Sequence, residues 1–167
     1  MSSTAAIGEE PAGVPRTERS PWNSDKHTSG YSQSKYAAEQ EVYRGIAEGL
    51  DAVMVNPCVV IGPGQPERSS MTLMERLQKG VAFFPPGSNA VVDARDVAHC
   101  MVALIEKGQT GERFLLVGEN VTYQRLFALC AHAFNHPPPS RSIRPWMLHV
   151  AWRLEALRSA ISGSRPF

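Results

Sequence analysis

Short apolar runs alternate with helix-forming stretches along this chain, and that alternation limits the fold more than any other feature. Residues 52–55 (Ala-Val-Met-Val), 90–92 (Ala-Val-Val) and 113–117 (Arg-Phe-Leu-Leu-Val) read as short strands. Residues 31–48, about 69–79, 94–107 and 122–134 read as helices. Strands that alternate with helices argue for an α/β fold with a parallel sheet. The helix over 31–48 sets Ala38, Val42 and Ile46 on one face and ends at Gly49. The helix from 69 is closed by Gly80, and Thr122 has the side chain of an N-cap. Residues 2–7 read as the end of a strand. Residues 8–30, with Pro11, Pro15 and Pro21 among many polar residues, read as a loop. Pro137, Pro138 and Pro139 break the chain before a final helix over roughly 145–162. Its Trp146, Met147, Val150, Trp152, Leu154 and Leu157 suit packing against a substrate region or a partner.

A chain of 167 residues, 43% hydrophobic, can bury a core of its own. A net charge of +1 gives no basic surface for nucleic acid or an anionic membrane. No apolar run is long enough to span a bilayer, and the start lacks the basic and apolar regions of a signal peptide. Cys58, Cys100 and Cys130 are odd in number and widely spaced, which fits neither a disulfide framework nor a metal cluster. A reducing, cytoplasmic compartment is the expectation. His27, His99, His132, His136 and His149 show no metal-ligand pattern, so no metal is expected.

The chemistry centres on Tyr31-Ser32-Gln33-Ser34-Lys35. Residues i and i+4 share a helical face. Lys35 therefore sits where its charge favours the phenolate of Tyr31. A tyrosine tuned in this way moves a proton to or from a substrate hydroxyl at neutral pH. The pair alone also fits a surface lysine beside a half-buried tyrosine, so its flanks matter. Asp93 suits the cap of the helix over 94–107, and Asp96 suits its first turn.

Four segments occur in a telling order: Ser2-Ser3-Thr4-Ala5-Ala6-Ile7-Gly8, the Tyr-x-x-x-Lys helix, Asn56-Pro57-Cys58-Val59-Val60-Ile61-Gly62-Pro63-Gly64, and Val92-Asp93-Ala94-Arg95-Asp96-Val97-Ala98. With Phe84-Pro85-Pro86-Gly87, they resemble the extended short-chain dehydrogenase/reductases, the group of NAD-dependent epimerases and dehydratases. Within it they look most like the dihydroflavonol-reductase branch. The resemblance implies an incomplete Rossmann-like parallel sheet with a small, mostly helical substrate lobe. It implies NAD or NADP as cofactor, a small-molecule substrate, and pairing of two copies through the Tyr–Lys helix.

By the same resemblance Tyr31 is the general acid/base, and Lys35 holds the phenolate and the nicotinamide ribose. Ser3 orients the substrate oxygen; Thr4 or Ser2 takes that place in a register shifted by one. Pro57, Cys58, Val59 and Val60 lie beside the nicotinamide, or form an ordinary core strand. Asn56 touches substrate or fixes the turn. The expected reaction is hydride transfer between the nicotinamide and a secondary alcohol or ketone, flavonoid-, steroid- or sugar-derived. Epimerase and dehydratase chemistry starts from the same hydride step, but Thr4 after the serine, where a dehydratase often has an acid, favours simple redox. The family's Gly-x-x-Gly-x-x-Gly turn, which binds the cofactor pyrophosphate, has no counterpart in these residues. The chain is therefore expected to be the C-terminal part of one NAD(P)-binding domain, inactive on its own. The alternative is a non-catalytic remnant that binds a small molecule or a protein.

Overall fold

The computed structural model describes residues 1–11, 13–25, 28–64, 70–144 and 146–147. Most of the final helix expected over 145–162, together with His27 and His149, lies outside the described residues. The chain divides into two compact units, Met1–Ser70 with Ala90–Asn120, and Met71–Asn89 with Val121–Phe167.

The first unit holds a short 3-10 turn (Thr4–Ala6), helix α1 (Gly30–Ala47), strands β1 (Met54–Pro57) and β2 (Val59–Ile61), most of β4 (Ser88–Asp93), helix α3 (Ala94–Lys107) and strand β5 (Arg113–Leu116). β1 runs parallel to β5, with Met54 opposite Arg113 and Pro57 opposite Leu116. β2 runs parallel to β4, with Val59 opposite Val91. β4 lies between β2 and β6 (Glu119–Thr122). Cys58 marks the change of neighbour: its N–H still donates to Leu116 at 3.2 Å before the strand turns to β4. Both strand pairs are parallel, as the alternating sequence requires.

The core of this unit is Val55, Cys58, Val92, Val97 and Leu116, with Val60, Met101, Leu104 and Phe114 packed around it. Every residue of β1 is buried, which suits a strand covered on both faces. In α3, Val97, Met101 and Leu104 recur at helical spacing and meet that core. Asp93 caps α3 as expected: a carboxylate oxygen accepts from Arg95 N–H at 2.7 Å, and the Arg95 guanidinium pairs with it. That pairing holds the Asp93 carboxyl down to about 2.

The second unit contains α2 (Ser70–Gln78), β3 (Phe83–Phe84), α4 (Tyr123–Ala133) and β7 (Arg141–Ser142). β3 pairs in parallel with β7, and α4 packs on β3 through a face that buries Leu126, Phe127 and Ala131. Thr122 caps α4 by accepting from Arg125 N–H at 3.2 Å. Asn135, at φ 57°, ends the helix in the left-handed region that Asn tolerates. His136 is half-buried, with Nε2 2.7 Å from the Gln78 carbonyl oxygen.

Three expectations need correction. Residues 4–6 form a 3-10 turn, not a strand end, because Ser3 caps them: its Oγ accepts from Ala5 N–H at 3.2 Å. The strand expected at 52–55 sits two residues later, in register with Arg113–Leu116. The buried residue of α1 is Glu39, whereas Ala38 is exposed and Val42 and Ile46 are half-buried.

Candidate active site

α1 begins at Ser29, whose Oγ accepts from Ser32 N–H at 3.1 Å. This cap places Tyr31 in the first turn, where it is 58% exposed and open to a ligand. The Lys35 ammonium, one turn later, stands 5.8 Å from the centroid of the Tyr31 ring. A cation over a ring face is attracted by the ring quadrupole, which keeps the two groups together. Tyr36 faces another way and stacks on Trp22, with centroids 4.4 Å apart and planes within 6°. That stack ties the segment around Trp22 to the helix.

Ser3 comes from the start of the chain, in the same unit. Ser2 N–H donates to the Val55 carbonyl at 2.8 Å, so the start of the chain runs beside β1. Ser3 Oγ accepts from Ala5 and keeps its own O–H free to donate, since a hydroxyl carries one donor and two lone pairs. Ser2 Oγ is enclosed and has no partner. α1 packs on the Thr4–Ala6 turn.

The link between these pieces is a buried polar cluster. Asn56 is fully buried. Its Nδ2 donates to the Ser3 carbonyl at 2.8 Å and to Glu39 Oε1 at 2.5 Å. Glu39, 2% exposed, pairs through Oε2 with Arg113 Nη1 at 3.1 Å. Arg113 Nη2 in turn donates to the Glu18 carbonyl, and Glu18 Oε1 accepts from Leu115 N–H at 3.0 Å. That last bond holds the Glu18 carboxyl below the ordinary carboxylate range. It also covers part of the β5 edge with the loop. Asn56 Oδ1 and Arg113 Nε have no partner.

Asn56, expected to touch substrate or to fix the turn, is enclosed here, with its Nδ2 on the Ser3 carbonyl and on Glu39. Pro57 and Cys58 are buried as well, and burial pushes the Cys58 thiol up. Val59 and Val60 are half-buried on β2, paired with Val91 and Val92. Ser3, Asn56 and the helix of Tyr31 and Lys35 are brought together, while Val59 and Val60 belong to the sheet. Glu39, Arg113 and Glu18 escaped the sequence reading. One signal was available, an acid that continues the Tyr31–Lys35 spacing by one more turn.

A shallow cavity beside the site is lined by Ala5 and Ile7 of the turn, Trp22 and Asn23 of the loop, and Ser29 and Ser32 of α1. Among the described residues no helix is long and apolar enough to cross a membrane.

Parallel strand pairs joined through α3, with a Ser turn and a Tyr–Lys helix held at one strand, define an α/β protein of the Rossmann type. Comparison with known proteins agrees. The family model of the NAD dependent epimerase/dehydratase family matches residues 1–118. A Synechocystis protein named "Putative dihydroflavonol 4-reductase" is 32% identical, over 98% of this chain and 50% of its own length. The sterol demethylase protein B of Methylococcus capsulatus is 28% identical, over 88% of this chain and 45% of its own. The crystal structure of gox2253 superposes with a TM-score of 0.77 at 30% identity, covering 99% of this chain and 51% of that one. The chain belongs to the NAD dependent epimerase/dehydratase family. It spans about half the length of the curated relatives it matches.

Proposed function

We propose that this chain is the C-terminal part of an NAD(P)-dependent oxidoreductase of the extended short-chain type, and that it carries the proton-transfer residues. The reading rests on one observation above the rest. The turn capped by Ser3 and the helix bearing Tyr31 and Lys35 meet in one unit, joined through Asn56 and Glu39. Tyr31 is the acid that protonates the substrate oxygen during reduction and the base that takes that proton back during oxidation. Ser3 donates its free O–H to the same oxygen and stabilises the charge that develops there. Ser3 is preferred over Ser2, whose hydroxyl is enclosed. Lys35, whose ammonium stands over the Tyr31 ring, steadies that side chain and donates to the nicotinamide ribose.

The residues present fit the nicotinamide-ribose end of the cofactor: a lysine beside an accessible tyrosine, and a strand end at Pro57 with Val59 and Val60 half-buried. When bound, the cofactor supplies or accepts the hydride at the substrate carbon. A pyrophosphate-binding glycine turn is not among these residues, so the chain by itself binds cofactor weakly and does not turn over. The substrate is a small secondary alcohol or ketone, and Thr4 after Ser3 favours simple redox over dehydration.

The test is an NMR titration of the chain with NADH and NADPH, repeated with Tyr31→Phe and Lys35→Ala. Saturable shifts at Tyr31, Lys35 and 57–60, weakened in both variants, support the reading. A folded chain with no shifts at millimolar cofactor sinks it.

A further inference from the structure

We propose that Glu39 is a positioning residue: through Asn56 it locks the helix of Tyr31 and Lys35 to the Ser3 turn. This rests on the oxidoreductase reading above and gives Glu39 a role in it that the reading leaves unassigned. Glu39 follows Lys35 by four residues and Tyr31 by eight on the same helix, about 6 Å and 12 Å along its axis. It is too far back, and too buried, to reach a substrate.

Its two oxygens have separate duties. Oε1 accepts from Asn56 Nδ2 at 2.5 Å, and Oε2 meets Arg113 Nη1 at 3.1 Å. An amide nitrogen carries two hydrogens, and Asn56 uses one on Glu39 and the other on the Ser3 carbonyl at 2.8 Å. A single buried amide therefore bridges the acid/base helix and the serine turn. The Arg113 arm points elsewhere, to the Glu18 loop and the edge of β5.

A pair kept only for stability would be a poor choice at this place, since apolar side chains of similar volume often stabilise as well or better. Specifying geometry explains it better. Apolar contacts are tolerant of sliding, whereas a charge-assisted hydrogen bond fixes both distance and direction.

The experiment is amide hydrogen exchange on the 167-residue chain. Ala5 N–H, bonded to Ser3 Oγ, reports the serine turn; Met54 N–H, bonded to Glu112, and the other β1 and β5 amides report the core. The variants are Glu39→Ala, Arg113→Met and Glu39→Gln with Arg113→Met. Glu39→Asp, which keeps the charge but draws it back from Asn56, is the alternative if Glu39→Ala does not fold. Loss of the Asn56 arm is expected to speed exchange at Ala5 by about tenfold or more, beyond any change in the core amides. Arg113→Met leaves Ala5 in step with the core. The double variant, in which Gln still offers an acceptor to Asn56 with no cation competing for it, restores the protection of Ala5. If Ala5 and the core amides accelerate together in every variant, Glu39 is merely structural and the proposal fails. The readout needs no cofactor. Normal coupling at Ala5 with no cofactor shifts in the titration would fault the oxidoreductase reading and leave the positioning geometry standing.

Discussion

Arg113→Met should be among the most damaging single changes in the chain, although Arg113 lies outside the motifs read from the sequence. The residue is 16% exposed at its side chain and neutralises a carboxylate that is 2% exposed. Removing one member of a buried pair leaves the other charged and uncompensated, at a cost of about 3–5 kcal/mol. Two details adjust the figure. The variant also breaks the bond from Arg113 to the Glu18 carbonyl, which adds to the loss. It removes the unpartnered Arg113 Nε, which returns about 1 kcal/mol. The two adjustments nearly cancel, so the expected net loss stays about 3–5 kcal/mol, a large fraction of the stability of a domain of this size. Urea unfolding at neutral pH measures it, read from the midpoint with the slope unchanged. Glu39→Gln combined with Arg113→Met carries no buried charge, so it should recover about 1–2 kcal/mol relative to Arg113→Met alone. A loss below about 1 kcal/mol for the single variant, or strictly additive effects in the cycle, would refute the view that the two charges depend on one another.

Two further outcomes follow from the geometry. Gly8→Ala should cost about 1–3 kcal/mol, because the new Cβ would sit 1.7 Å from the Pro21 carbonyl oxygen and force the loop away from the turn; a thermal midpoint equal to that of the parent would show that the loop does not hold this contact. Glu18 and Asp93 both have carboxyls held below their ordinary values, by Leu115 N–H and by Arg95 respectively. Such groups stabilise the fold fully above the ordinary carboxylate range, and that contribution is lost as pH falls through their lowered values, about 2 for Asp93. Thermal midpoints should therefore be flat from pH 7 to 5 and fall below pH 4, less steeply in Glu18→Gln; an unchanged midpoint at pH 3 would contradict this.

Much of the fold was legible because its signals are local. Helix α3 was expected over residues 94–107 and is observed as Ala94–Lys107, since Asp93 at the cap and Asp96 in the first turn are read from neighbours in sequence. α4 began at the expected cap, Thr122, for the same reason. The Tyr31–Lys35 spacing likewise foretold that the two side chains would meet, because a helix brings i and i+4 together wherever it is placed.

Tertiary structure decided what depends on distant partners. The two-residue strands β3 and β7 exist only because Phe83 and Phe84 meet Arg141 and Ser142, and neither segment carries a strand pattern of its own. The limits of β1 follow Arg113–Leu116, which come nearly sixty residues later. Glu39 drew no reading from the sequence, and Asn56 read as touching substrate or fixing the turn. In the folded chain both are buried, on Arg113 and on the carbonyl of Ser3. Sequence by itself determined that Tyr31 and Lys35 would share a helix face, because side-chain type and helical period are local properties. Only the tertiary structure decided how those residues are held, because burying a charge or an amide is tolerable only where a partner from elsewhere in the chain arrives to meet it.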